Sequence, residues 1–290
     1  MEQERRNIII YPMAGYFPPN GMNIPLVAGP DRDNYPKKNI LEEQLNAFEP
    51  ISLVEMDRVK LMNRIDTKFI VGYHQLPGIL AKASSAYRIL EIDGSRVSPY
   101  SSIYFDTTDI QMYTMHHNGK LNRYKVRMRL YLQSGDTYLE IKRKNNKGRT
   151  SKKRISISRE HFESLNLDEI ERVFIRDKTP YELENLKPQL QNVFHRITLV
   201  DYNETERVTL DIELNFRKIG LNTYVPMDKI VIVEIKQDGA ATSSFRKLLD
   251  EASVPPKSIS KYCLGMILTN PGIKYNRFKE KIRLINKIAT

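Results

Sequence analysis

The chain has a single cysteine, Cys263, among its 290 residues. It can therefore form no internal disulfide and no cysteine-based zinc site, which suits a reducing compartment. Long apolar runs are missing too, and none approaches the length of a membrane span. The opening residues, MEQERRNIIIYPM, are too acidic and too briefly apolar for a secretory signal. The expectation is a cytoplasmic protein. Acids are scarce in one place above all. From Lys120 to Arg159 there are fourteen Lys or Arg against only Asp136 and Glu140, so this stretch holds +12 of a chain total of +11. A balance this basic points to an anionic partner: nucleic acid, a phosphorylated small molecule or a membrane surface.

The basic stretch is not a disordered tail, because its charges alternate with apolar residues. Arg127 and Arg129 alternate with Val126, Met128 and Leu130. Tyr138, Glu140 and Lys142 alternate with Leu139 and Ile141, and Lys152 and Arg154 with Lys153 and Ile155. A period of two is the signature of a strand with one polar and one apolar face. Three such strands aim a row of cations at one side of a sheet. Like charges side by side on a sheet cost stability, so a polyanion such as polyphosphate is a fitting counterpart.

Along the chain, residues 1–40 are rich in proline and glycine and read as an extended arm or disordered leader, with room for a short strand at Asn7–Tyr11. From Asn39 to about Asn63 the pattern is helical. Pro50 splits it, and Ser52 with Glu55 forms a capping box for the second helix. NRIDTKFIV is a strand with Arg64, Asp66, Lys68 and Ile70 on one face. Gln75–Ser85 reads as a helix with Pro77 in its first turn. Tyr87–Asp93 and Ser101–Asp106 are strands, and DIQMYTMHHNGK is a helix stopped at Asn118-Gly119. After the basic strands, Arg159–Asn192 reads as a helical excursion. Strands resume at Val193–Tyr202, Arg207–Phe216 and Lys229–Gln237. Ser243–Ala252, the end of VPPKSISKYCLGMIL, and NRFKEKIRLINKI are helices.

Strands that are charged on one face and apolar on the other suit an inside-out arrangement. The expected fold is α+β: a closed antiparallel β-barrel with a polar, basic interior and helices packed outside. Its divisions are a proline-rich arm over 1–40, a tunnel domain over 41–270 and a basic C-terminal helix over 271–290. A charged interior must be wet or occupied by a charged ligand.

The polar faces supply cations at Lys68, Arg127, Arg129, Lys142, Lys152, Arg154, Arg196, Arg207, Lys236 and Lys261. They supply carboxylates at Asp66, Glu140, Asp211, Glu213 and Glu234. Arg clamps phosphate oxygens through two parallel hydrogen bonds and Lys acts as a point charge. A few carboxylates amid many cations suit Mg²⁺ or Mn²⁺ shared with phosphate oxygens. Phosphoryl transfer needs little more than positioning, charge neutralisation and a metal. A single strand of alternating Lys and Glu is ordinarily a solvated face with cross-strand pairs. Here five or more strands repeat the pattern with excess positive charge, which pairing alone does not explain. His116-His117 looks like a metal or acid–base pair, but neighbours on a helix point apart and the surface is their expected place. A nucleic-acid patch at Lys142–Lys144 and Lys152–Arg154 has no recognised motif behind it.

These residues resemble a family. YFDT at Tyr104–Thr107, then RMR, then LEIKRK, is similar to the triphosphate tunnel metalloenzymes, and within them to the VTC-type polyphosphate polymerase domain, over about Phe48 to Leu268. RIDTKF carries Lys68, the phosphate-contacting lysine by this resemblance. Arg127 and Arg129 match the Arg-x-Arg strand, and Lys142, Lys152 and Arg154 the next two basic strands. Phe194-His195-Arg196 falls where the family has Tyr-x-Arg, and Arg207 in RVTLD follows. Glu234 in VEIK matches the metal-binding glutamate and Lys261 in SKY the late tunnel lysine. The sequence departs from the pattern at Phe194 and in TLVDYNETE after Arg196, and it shows neither a SPX regulatory domain nor a membrane segment. A stand-alone form of this kind looks bacterial.

The resemblance implies an enzyme that binds ATP and Mn²⁺ or Mg²⁺ and transfers the γ-phosphate to a growing polyphosphate chain. Lys261, Arg127 and Arg129 would act at the reacting phosphate. Lys68, Lys142, Lys152, Arg154, Arg196 and Arg207 would bind ATP and polymer. Glu234, with Glu140 or Glu213, would hold the metal. The expected partners are ATP and inorganic polyphosphate, no nucleic acid, and a separate membrane partner if synthesis is coupled to translocation. Other readings are a triphosphatase or polyphosphatase of the same fold, and a non-catalytic polyphosphate or nucleotide sensor.

Overall fold

The computed structural model describes residues 37–59, 64–147, 149–239 and 242–289. The expected arm lies outside the described residues except for its last four, which open helix α1 (Lys37–Asn46). The short strand β1 (Glu49–Ile51) follows, then α2 (Leu53–Arg58). The capping box of Ser52 and Glu55 is present as expected, with each side chain accepting the other's backbone N–H. The charged-apolar strand is β2 (Arg64–Gly72), and α3 (Leu76–Ala83) carries Pro77 in its first turn. Strands β3 (Tyr87–Leu90) and β4 (Ser98–Thr107) lead to α4 (Gln111–His117). Gly119, at φ 73°, takes the left-handed turn that ends it.

The basic block folds into β5 (Arg123–Tyr131), β6 (Thr137–Lys144) and β7 (Thr150–Ser156), an antiparallel meander in the expected order. Helices α5 (Arg159–Ser164) and α6 (Glu169–Lys178) make up the helical excursion, but it stops sooner than expected. The segment from Leu186 to Asn192 is strand, the first half of β8 (Leu186–Asp201). Pro188 suggests a break there. It is accommodated where the β4–β8 register shifts between Tyr104 and Phe105, so its missing N–H costs no regular ladder bond. Strand β9 (Glu206–Lys218), the short β10 (Val225–Met227) and β11 (Ile230–Asp238) complete the sheet. Helices α7 (Ser244–Glu251), α8 (Lys261–Thr269) and α9 (Lys279–Ala289) end the chain.

All eleven strands form one sheet, in the order β2-β11-β9-β8-β4-β5-β6-β7 with β1, β3 and β10 to the side. Every pairing is antiparallel except β1 with β3. The closed barrel that was expected is not formed. The sheet curls into a half-barrel whose edge strands, β2 and β7, do not pair with each other. Both edges bear cations, Arg64 and Lys68 on one and Lys152, Lys153 and Arg154 on the other. Charged side chains on an edge strand disfavour stray pairing.

The alternation read from the sequence assigns the two faces. On the convex face, Phe69, Val71, Val208, Leu210, Val233 and Ile235 pack under α1, α3 and α7. Farther along it, Ile103, Phe105, Val126, Met128, Leu139 and Ile141 pack against Phe162 of α5 and Ile175 of α6. The concave face is divided. Toward one end it is apolar, where Ile70, Leu190, Phe216, Ile230 and Ile232 meet α8, α9 and Tyr113 of α4. Toward the other end it is charged. A strict inside-out barrel would be polar throughout its interior. Here the sheet is a cup, with helices filling its apolar base.

Candidate active site

The charged half of the concave face is built by strand parity. On β5, Lys125, Arg127 and Arg129 point to the concave side while Val126 and Met128 enter the convex core. The same alternation places Glu140 and Lys142 on β6, Lys152 and Arg154 on β7, Arg196 on β8, Asp211 on β9, Glu234 and Lys236 on β11 and Lys68 on β2. Lys261 is added from the first turn of α8. Ser260 caps this helix by accepting the Cys263 N–H, which fixes where Lys261 starts.

Three carboxylates are each gripped by two cations. Arg196 holds Asp211 with two parallel hydrogen bonds, Nε at 2.6 Å and a terminal nitrogen at 3.0 Å, and Lys261 contacts the same carboxylate. Arg127 Nε donates to Glu140 at 2.7 Å, and Lys152 pairs with Glu140 from β7. Lys68 pairs with Glu234, whose other oxygen lies 2.8 Å from Lys236. Burial by itself would raise the pKa of each acid. The cations outweigh it: Glu140 is lowered to about 2, Asp211 falls below the usual carboxylate range, and Glu234 lies well below it.

The lysines carry the opposite strain. Burial pushes Lys261 down to about 7, with Arg196 adding repulsion and Asp211 resisting. Lys236 and Lys125 are each lowered to about 8, again mainly by burial. The curl also brings distant strands into one field. Lys142 on β6, lowered by burial, feels Glu234 and Lys68 on β11 and β2. Lys261, in turn, feels Lys68. Arg129 makes no ion pair among the described residues. Its Nε donates to Ser102 at 3.2 Å and its guanidinium lies over the Tyr100 ring. The result is a concave surface where cations outnumber acids and the acids are already engaged. A surface in this state attracts a polyanion.

Of the residues singled out from the sequence, Lys68, Arg127, Arg129, Lys142, Lys152, Arg154, Arg196, Lys261, Glu140 and Glu234 share this face. Arg207 has the same parity but stands apart, donating to the backbone carbonyls of Met56 and Val59 at the end of α2. Glu213 requires a correction. A bulge sets it at φ 51°, and its half-exposed carboxylate lies 2.8 Å from His195 Nδ1. His195 alternates with Phe194 and Arg196 and so points to the other face. The bulge takes Glu213 away from Glu234 and Asp211, and no alternation pattern could reveal it. His117 also differs from its expected surface place. It is 4% exposed, stacked on Tyr113 and edge-on to Phe278. His116 Nδ1 lies 3.1 Å from the Cys263 sulfur.

Some contributors went unread. Lys125 shares the parity of Arg127 and was legible in the alternation; its Nζ donates to Ser260 at 3.1 Å. Asp106, within YFDT, is fully buried. It accepts backbone N–H groups of Thr107, Met112 and Tyr113 and the hydroxyl of Tyr262. It thereby ties α4 and α8 to β4 and sets the base of the cup. The clustered metal-type ligands among the described residues are His161, Asp168 and Glu171, at α5 and α6 outside the cup. Asp168 and Glu171 form the capping box of α6, and His161 bonds Glu171.

The VTC domain family model matches residues 63–270. This chain belongs to the VTC domain family. The VTC match opens one residue before β2 and closes one residue after α8. It therefore contains every strand of the charged face and leaves out α1, α2 and α9. No curated protein matches this VTC-domain chain. Among solved structures it is similar to a candidate adenylate cyclase from Bacillus halodurans, at 15% identity over 71% of this chain and 97% of that one, TM-score 0.48. It is similar also to a candidate adenylyl cyclase from Hippeastrum described as having a dominant triphosphatase activity (14% identity, 73% and 100% covered, TM-score 0.44). A third is a candidate adenylate cyclase from Vibrio parahaemolyticus (10% identity, 70% and 97% covered, TM-score 0.42).

Proposed function

We propose that this VTC-domain protein is a metal-dependent polyphosphate polymerase that transfers the γ-phosphate of ATP to a growing polyphosphate chain. The observation that carries the reading is the convergence of Lys68, Arg127, Arg129, Lys142, Arg196 and Lys261 on one concave face of a VTC domain. A run of phosphates would take the place of the three carboxylates as partners of these cations. Arg127 and Arg196 suit bidentate grips on phosphate oxygens, while Lys68, Lys142 and Lys261 act as point charges.

Glu234 fits a divalent cation in the manner of a site completed by substrate. It is held ionised, and both its oxygens are engaged by lysines that a triphosphate would draw off. Mg²⁺ or Mn²⁺, when bound with the triphosphate, would neutralise charge on its oxygens. The protein's own part is to align the acceptor. A terminal oxygen of the acceptor chain attacks the γ-phosphorus, the bond from that phosphorus to the β–γ bridging oxygen breaks, and ADP leaves. Lys261 and Arg196 would offset charge on the transferred group, and Arg127 and Arg129 would hold the leaving portion. Glu140 serves here to balance the charge of Arg127 and Lys152. The open seam between β2 and β7 gives a polymer a lateral way out.

One observation favours a second reading, a triphosphatase. The base of the cup is packed shut by α8 and α9, and a blind cup suits a short triphosphate attacked by water. The deciding experiment incubates the protein with ATP and Mn²⁺ or Mg²⁺ and follows acid-labile polymer on a gel beside free phosphate. Polymer that disappears in Glu234→Gln and in Arg127→Ala is the expected result. Free phosphate alone would replace the polymerase reading with the triphosphatase. Tight binding with neither product would leave a sensor.

A further inference from the structure

The cation array has an aromatic end. On the concave face, at the Tyr131 end of β5, Tyr100, Tyr131 and Tyr138 adjoin one another, with Tyr100 itself buried. The Tyr100 and Tyr131 rings lie 4.9 Å apart at 58°, and those of Tyr131 and Tyr138 5.8 Å apart at 84°. The Arg154 guanidinium carbon lies 4.3 Å from the Tyr138 ring centroid, the shortest arginine–ring approach in the cup. Arg154 is exposed, and no ion pair holds it among the described residues. The guanidinium therefore has the Tyr138 ring against it in a residue that is otherwise open to solvent. Tyr131 and Tyr138 are themselves partly open.

These rings do not suit a bare phosphate chain. The face of an aromatic ring is the negative side of its quadrupole and repels an anion. What a tyrosine wall and a stacked guanidinium accept is another flat π system, with the guanidinium also offering hydrogen bonds at its edge. The order of groups matters as well. Tyr138 is the cross-strand partner of Arg129, and Arg129 and Arg196 both lie over the Tyr100 ring, at 5.6 and 5.1 Å. Across the sheet from β6 to β9 the face reads ring, arginine, arginine, then Asp211 with Lys261. A nucleoside triphosphate has the same order, base first and terminal phosphate last.

We propose that Tyr131, Tyr138 and Arg154 form a shelf on which the nucleobase of the triphosphate substrate stacks. This rests on the reading of the array as a phosphate site, and it adds that the donor is selected as a nucleotide over bare triphosphate. The shelf gives affinity to any flat base, because stacking reads a ring and not its edge pattern.

The test uses 2-aminopurine riboside triphosphate, whose fluorescence is quenched by stacking, with inorganic tripolyphosphate as the competitor that lacks a base. Wild-type protein should quench the probe. Tyr138→Ala should abolish the quenching and weaken nucleotide binding about tenfold, in line with alanine replacement of base-stacking rings. Tripolyphosphate affinity should stay at the wild-type value, which also shows that the variant is folded. Tyr138→Phe should keep both. Equal losses for nucleotide and tripolyphosphate would overturn the shelf, since Tyr138 would then act only by holding Arg154 for phosphate. Unchanged nucleotide binding in Tyr138→Ala and in Tyr131→Ala would overturn it as well. Failure of the wild-type protein to bind tripolyphosphate would overturn the phosphate array itself, and is thereby distinct from failure of the shelf.

Discussion

Replacing Glu140 by Gln separates what holds the cup together from what it binds. Glu140 is 2% exposed and sits between Arg127 and Lys152. Burial raises its pKa, yet Arg127, Arg129 and Lys152 bring it from 4.5 to about 2. At 1.36 kcal/mol per unit, the ionised form stabilises the fold by roughly 3 kcal/mol. Because the folded-state value is depressed, this stability is fully present above pH 4.5 and is lost as pH falls through 2. Glu140→Gln removes it at neutral pH and leaves Arg127 to repel Lys152 and Arg129. The expected loss in urea unfolding at pH 7 is about 3 kcal/mol, in line with breaking one side of a buried pair. The same change makes the face one charge more positive. Tripolyphosphate should then bind about tenfold more tightly and raise the urea midpoint more in the variant than in the wild type, by mass action on the folded state. Urea melts with and without tripolyphosphate, repeated from pH 7 down to pH 3, read both effects. A loss below about 1 kcal/mol, or an equal ligand-induced shift in both proteins, would refute this account of Glu140.

Two further outcomes follow from the same geometry. Lys261, at about 7, and Lys236 and Lys125, at about 8, shed protons just above neutrality, so each loses its charge as pH rises. Tripolyphosphate affinity should fall between about pH 7 and 9, with proton uptake on binding seen by calorimetry in buffers of different ionisation enthalpy; a flat profile would contradict it. Gly265 lets α8 approach the sheet, since an added Cβ would stand 2.5 Å from Leu190 and from Phe216, both fully buried. Gly265→Ala should cost about 1–3 kcal/mol by overpacking, measured by denaturant unfolding, and weaken anion binding by displacing Lys261.

The alternation of β2, β5, β6, β7 and β11 was legible because a strand has a period of two and the sequence fills each face with one kind of residue. That settled which side Lys68, Arg127, Arg129, Lys142, Lys152 and Glu234 occupy, and with RIDTKF, RMR and LEIKRK it also pointed to the family. Turn and cap signals fixed α2 at Ser52 and the end of α4 at Gly119, since these depend on a few neighbouring residues. Tertiary structure decided the rest. Whether the sheet closes depends on two edges, β2 and β7, that lie far apart along the chain. Whether Leu186–Asn192 is helix or strand was decided by its ladder with β4, which overrode the helical pattern read through it. Glu213 left the charged face because of a bulge, one residue of register that a pattern of two cannot show. His117, polar by type, was buried because α9 and the preceding 3₁₀ turn bring Phe278 over it. A sequence records what each face is made of; which faces meet is a property of pairings far apart along the chain.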